Sequence, residues 1–107
     1  MKNGLYIARF STPMDDGAGV IVIQDGEVRG GDSGMYYFGT VTHTDDKLQV
    51  KMRVRRHYEA AISVVGDFEQ FELTLTGKPK GETFVFEGRA DRVPSMRFTA
   101  TLVPAAI

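Results

Sequence analysis

Hydrophobic and polar residues alternate along several stretches of this chain. Between Leu48 and Arg55 every second residue is apolar, and the residues between them are Gln, Lys and Arg. A period of two places successive side chains on opposite faces of a β-strand, whereas a helix would distribute these charges around its circumference. The same alternation recurs at 71–76, 84–89 and 96–103. The pattern therefore predicts an all-β protein.

Residues that favour turns separate the alternating stretches. Asp25 and Gly26 can adopt the positive φ angles of a two-residue hairpin. Gly, Pro, Asp and Thr cluster at the other predicted turns, which lie at 11–16, 44–47, 77–81 and 91–94. The strands predicted between these turns cover residues 4–10, 17–24, 27–31, 35–44, 47–56, 68–76, 82–90 and 95–103.

About eight antiparallel strands with short connections favour a meander, and a meander with one apolar face can close into an up-and-down β-barrel. Closure also removes the exposed edges that an open sheet would leave. A two-sheet sandwich is the alternative. The stretch 57–67 lacks alternation, and we expect at most one short helical turn there, around residues 58–61.

Composition limits what this chain can be. Its 107 residues suit a single domain, 1–107, and 42% hydrophobic content is too high for a disordered chain. The absence of cysteine excludes disulfides, a Cys nucleophile and Cys-based metal sites. No stretch approaches the roughly 20 apolar residues of a membrane helix. The first residues do not resemble a signal peptide, so we expect a cytoplasmic protein without a membrane partner.

The charge is nearly balanced at -1, but it is unevenly distributed along the chain. The first 46 residues carry three basic and seven acidic residues, whereas basic residues concentrate at 47–56. The overall balance argues against a dedicated nucleic-acid binder, and we expect no direct nucleic-acid partner. The alternative is a local basic face formed by Lys51, Arg53 and Arg55, which could meet nucleic acid or an acidic protein. Few aromatic residues lie among the basic ones, so a base-stacking surface is not indicated either.

The glycine-rich segments do not form nucleotide-binding motifs. Gly17-Ala18-Gly19 leads into a predicted strand, whereas a dinucleotide site requires a strand before the glycines and a helix after them. The segment 30–34 resembles a phosphate loop, but no GK[ST] sequence follows it. A bend or bulge between strands is the simpler interpretation.

No catalytic or metal-binding constellation is evident. A metal site requires three or four convergent ligands, and nucleophilic catalysis requires a base close to the nucleophile. The candidate side chains are isolated or lie on predicted turns. They are His43, His57, Ser33, Ser63 and the pairs Asp15-Asp16 and Asp45-Asp46. We therefore predict a protein that is not an enzyme and has no cofactor and no metal.

A series of short motifs runs through most of the chain in a characteristic order. They are Asn3-Gly4-Leu5-Tyr6, Gly17-Ala18-Gly19-Val20, Gly30-Gly31-Asp32, Tyr37-Phe38-Gly39, Ser63-Val64-Val65 and Glu69-Gln70. Their order and spacing from about 3 to 75 resemble the GrlR family, negative regulators of type III secretion gene expression. The resemblance implies a small lipocalin-like barrel that forms a cytoplasmic homodimer and sequesters a transcriptional activator through an acidic loop.

Carried over to this chain, the acidic loop falls on a turn that retains two carboxylates beside Lys47. The implied partner-binding residues are Thr44, Asp45 and Asp46. This resemblance predicts a non-enzymatic regulator that acts by binding another protein.

The alternative function is a barrel that carries an apolar small molecule. The residues predicted to surround such a ligand are aromatic: Tyr6, Phe10, Phe71, Phe84, Phe86 and Phe98. The same rings could instead fill the interior, because eight strands enclose little space. Gly39, Gly88 and Ala100, at inward positions, are expected to leave room beside the rings.

The first two predicted strands are apolar on both faces, unlike the later ones. If Tyr6, Ala8 and Phe10 face inward, alternate residues of strand one must face outward, together with Val20 and Val22 or Ile21 and Ile23 of strand two. Such an exposed patch usually marks an interface, and a symmetric dimer would cover it. The predicted dimer interface is Leu5, Ile7, Val20 and Val22. Alternatively, residues 57–67 fold over it.

Overall fold

The structure is a computed structural model that describes residues 1–105. All eight strands pair antiparallel with their neighbours in chain order, and β1 also pairs with β8, which closes the barrel. The strands are β1 (Gly4–Ser11), β2 (Asp16–Gln24), β3 (Glu27–Gly31), β4 (Met35–Thr44), β5 (Lys47–Arg56), β6 (Gln70–Lys80), β7 (Thr83–Ala90) and β8 (Phe98–Pro104). The predicted barrel is confirmed, and the sandwich alternative is wrong.

Most predicted strand boundaries agree with the structure within one residue, but the strands predicted at 68–76 and 95–103 begin later, at Gln70 and Phe98. The turn expected at 77–81 is mostly strand, because β6 continues through Pro79 and only Gly81 and Glu82 connect it to β7. Gly81 has a φ of 65°, which allows this tight hairpin. The described chain contains no helix at 57–67. Two turns form there instead: Ala61 N–H donates to the carbonyl of Tyr58 at 2.9 Å, and Gly66 N–H donates to that of Ser63 at 3.1 Å.

Buried and exposed residues alternate along β5, as its sequence predicted. Val54 is buried inside the barrel, whereas its neighbour Arg53 faces solvent. Arg53 forms an ion pair of 2.8 Å with Glu72, which lies directly opposite on β6. Apolar burial therefore fixes the register, since an ion pair this exposed contributes little to stability.

The two ends of the barrel are built differently. The hairpin turns at 25–26, 45–46 and 81–82 form one end, hereafter the closed end. There the hydroxyl of Tyr6 donates to the carbonyl of Lys2 at 2.6 Å and its ring packs edge-on against that of Phe84.

The opposite end, hereafter the open end, carries the longer connections at 12–15, 32–34, 57–69 and 91–97. The 57–69 connection is attached to the barrel by its buried valines, Val64 and Val65, and by the hydroxyl of Thr12, which donates to the carbonyl of Val64 at 2.6 Å. The connection therefore packs against the open end of the barrel.

Candidate ligand-binding cavity

The barrel encloses a cavity of about 440 Å³. Its walls are formed by inward-facing residues of the strands, among them Ile21, Val54, Phe71 and Leu102. Met1, Ile23 and Val28 also line the cavity and are positioned towards the closed end. The volume lies within the range of small-molecule sites, about 300–1,000 Å³.

Three segments at the open end surround the mouth of the cavity: residues 15–18, residues 32–34 and the part of the 57–69 connection from Tyr58 to Val64. Two apolar side chains at the mouth are unusually exposed, Tyr58 at 60% and Ile62 at 66%. The cavity is therefore continuous with the surface at one end of the barrel.

Four of the six aromatic residues predicted for the cavity line it: Phe10, Phe71, Phe86 and Phe98. The rings of Phe10 and Phe98 stack with centroids 6.1 Å apart. The structure places Tyr6 and Phe84 elsewhere. Both belong to the closed end, and neither lines the cavity. Alternation identifies inward residues, but it does not say which end of the barrel each one occupies.

The glycines expected to leave room beside the rings do not do so. A Cβ atom at Gly39 would overlap the carbonyl of Lys51, and one at Gly88 would overlap the carbonyl of Thr74. The backbone of an adjacent strand thus occupies each of these positions, as at a sharp bend of a barrel wall. Ala100, by contrast, does line the cavity.

A polar pair that the sequence did not suggest lies beside the mouth. The hydroxyl of Tyr37, a buried residue that lines the cavity, donates to Oδ2 of Asp32 at 2.9 Å. The other oxygen, Oδ1, accepts from the amides of Gly34 and Met35 at 2.9 and 2.8 Å. A side chain at Gly19 would overlap the Tyr37 hydroxyl, so glycine makes room for the pair.

The surroundings of Tyr37 favour its neutral form. Burial raises the pKa of this phenol well above its usual value, and the nearby negative charge and hydrogen bond of Asp32 raise it further. The hydroxyl is thus a permanent hydrogen-bond donor over the ordinary pH range. The sequence signal available for this pair was an Asp two residues before a Gly, the pattern of a turn stabilised by its own carboxylate.

The predicted partner-binding residues lie at the other end of the molecule. Thr44, the last residue of β4, and Asp45 and Asp46 of the following turn are all exposed at the closed end. Asp45 has a φ of 56°, a conformation that Asp tolerates better than most residues. The turn is therefore separated from the cavity mouth by the length of the barrel.

The predicted interface residues lie together on the outer face of β1 and β2. Leu5 pairs directly with Val22, and Ile7 pairs with Val20 on one side and with Val103 of β8 on the other. Val20 and Val22 are 45% and 43% exposed, whereas Ile21 and Ile23 are buried. The 57–69 connection belongs to the open end and does not cover this face.

The side-chain hydrogen bonds found for His57 and Ser63 are made to backbone groups and not to another candidate catalytic side chain. His43 is exposed on β4, and Nε2 of His57 lies 2.9 Å from the backbone carbonyl of Asp32. The hydroxyl of Ser63 donates to the carbonyl of Gly66 at 2.8 Å. Within residues 1–105 no group of three or more His, Cys, Asp or Glu side chains is arranged to hold a metal ion.

Fold and site together define a small, closed up-and-down β-barrel with an interior cavity that opens at one end. No protein-family model matches the chain, and no curated protein is significantly similar to it. No helix among residues 1–105 has the length and apolar character needed to cross a membrane.

The raised pKa of Tyr37 predicts a loss of stability in alkaline solution. An unfolded tyrosine releases its proton near pH 10, whereas the folded protein retains that of Tyr37, so the free energy of unfolding should fall as the pH rises above about 10. Tyr37→Phe should reduce this fall, and at pH 8 it should cost about 1 kcal/mol for the lost hydrogen bond.

Urea titrations at pH 8 and at about pH 11 measure both effects. Burial also raises the pKa of Tyr6, so part of the alkaline loss should persist in the variant. Tyr58→Phe removes an exposed hydroxyl and is the control. An alkaline loss in Tyr37→Phe as large as that of the wild type would contradict the assignment.

Proposed function

We propose that this protein is a non-enzymatic binding protein that holds an apolar small molecule inside its barrel. The observation that carries the proposal is the cavity of about 440 Å³, apolar along its walls and open at one end. Burying an apolar ligand there would remove both the ligand and the walls from water, which is the main driving force for such binding. The polar pair of Asp32 and Tyr37 would then interact with the part of the ligand nearest the mouth.

Titration with the neutral fluorophore N-phenyl-1-naphthylamine tests the proposal, because the dye becomes bright in apolar surroundings. Wild-type protein should bind it saturably, in a one-to-one ratio. Ala100→Phe places a ring in the cavity and should weaken binding about tenfold or more. Thr101→Phe adds the same ring at the next position of β8, which does not line the cavity, and should bind like the wild type. If both variants bound the dye with equal affinity, the dye would have to bind outside the cavity.

The second candidate is a regulator resembling the GrlR family that acts in the cytoplasm by binding a transcriptional activator. It is favoured by the two exposed carboxylates of Asp45 and Asp46 in a turn opposite the cavity mouth. A partner that binds this turn would leave the mouth accessible. Exposed carboxylates facing Arg or Lys of a partner mainly set association rate and specificity.

A double variant of the turn tests the regulatory candidate. Asp45 is changed to Asn, which tolerates the positive φ of this position, and Asp46 is changed to Lys. Affinity capture from the native cell should recover a transcriptional activator with the wild type and not with the variant, while the melting temperature stays within a few degrees. Recovery of the same activator by both proteins would exclude the turn as its contact.

We further propose that the outer face of β1 and β2 pairs with a second copy of the chain. Its support is the juxtaposition of Leu5 with Val22 and of Ile7 with Val20, which makes one continuous apolar surface. Contiguous exposed apolar patches usually mark interfaces, and a two-fold pairing is the commonest way to cover one.

Sedimentation of the protein at about 100 μM measures this association. The wild type should sediment as a dimer and Ile7→Lys as a folded monomer, because the new charge would lie in the middle of the apolar face. Thr74→Lys introduces the same charge on the exposed face of β6 and should remain dimeric. A monomeric wild type would remove the basis for a dimer.

A further inference from the structure

The charged side chains that line the cavity are all acidic. Within residues 1–105 no Lys, Arg or His lines it, whereas Asp15, Asp16 and Asp32 do, all on the connections and strand ends that surround the mouth. The remaining lining residues are mostly apolar. The cavity thus combines an apolar interior with an acidic rim.

These carboxylates are not neutralised by basic side chains in the part of the chain that the structure describes. The four ion pairs found there involve other acidic residues: Glu27, Asp67, Glu72 and Glu87. One of those pairs joins Arg56 to Asp67 at 2.6 Å. Arg56 ends β5 and is the arginine closest in sequence to the mouth, so that arginine already has an acidic partner. The rim therefore carries three carboxylates that form no ion pair among the described residues.

We propose that the ligand of this cavity is an amphiphile with an apolar tail and a cationic head. The inference rests on the proposed binding function. The tail occupies the barrel, and the head remains at the rim beside Asp15 and Asp16. A tail with a carboxylate head is disfavoured, because its charge would face like charges without a basic partner. The exposed ring of Tyr58 at the same mouth adds a surface that favours a cation.

Three ligands with the same twelve-carbon tail and different heads show how much the head contributes to affinity: dodecyltrimethylammonium, dodecanol and dodecanoate. Each is used below its micelle concentration to displace N-phenyl-1-naphthylamine from the full chain at pH 7. We expect the ammonium to bind most tightly and the carboxylate most weakly, by about tenfold or more between these two. Raising the salt concentration should narrow this difference, since exposed charges are screened.

The rim is tested by Asp15→Asn together with Asp16→Asn, which preserves size and leaves Asp32 to hold its own turn. This variant should weaken ammonium binding and strengthen carboxylate binding, with dodecanol unchanged. The matched control is Asp45→Asn with Asp46→Asn, the same change in an acidic pair at the closed end. It should bind the three ligands in the same order of affinity as the wild type.

The outcomes distinguish a failure of the cationic-head inference from a failure of the binding function. Binding of all three ligands with equal affinity would overturn the cationic head and leave the binding function standing. A preference for dodecanoate would also overturn the cationic head. Binding of neither the dye nor any ligand would overturn both. If the Asp15 and Asp16 variant does not fold, the wild-type order and its salt dependence still decide the inference.

Discussion

The pairing of β1 with β8 is the contact on which the rest of the structure depends. It runs from Tyr6 opposite Pro104 to Ser11 opposite Thr99, and it joins the two strands that would otherwise be the edges of the sheet. Without it the apolar face of an eight-stranded sheet would lie open to water, and its edges would be free to pair with other chains. Closure converts that face into an interior with a defined volume.

A closed interior does not by itself explain why space remains inside it. Barrels of eight strands are narrow enough for side chains to fill. In this barrel Tyr6 and Phe84 pack at the closed end, whereas small residues such as Ala8 and Ala100 contribute to the wall further along. The 57–69 connection packs Val64 and Val65 into the open end without filling it. The space that remains is bounded by these small residues together with the rings of Phe10, Phe71, Phe86 and Phe98.

Alternation in the sequence predicted the strands, because burial of one face imposes a period of two, and turn residues such as Asp25 and Gly26 predicted their connections. The cavity was harder to predict. Tyr6 and Phe10 both face inward on β1, yet only Phe10 lines the cavity, since strand tilt and register decide the depth of each residue. The contact of Asp32 with Tyr37 also depends on register, through the space left by Gly19.

The three candidate surfaces do not overlap, and this separation constrains how the protein could work. The mouth and the 45–46 turn lie at opposite ends of β4 and β5, each ten residues long, or roughly 30 Å of backbone. A ligand at the mouth could therefore affect a partner at the turn only through the barrel itself. A ligand that binds only the folded chain would stabilise it, by about 2.7 kcal/mol at a hundred times its Kd. A closed barrel whose interior is incompletely packed is well suited to this linkage, because the ligand replaces packing contacts that its own side chains do not make.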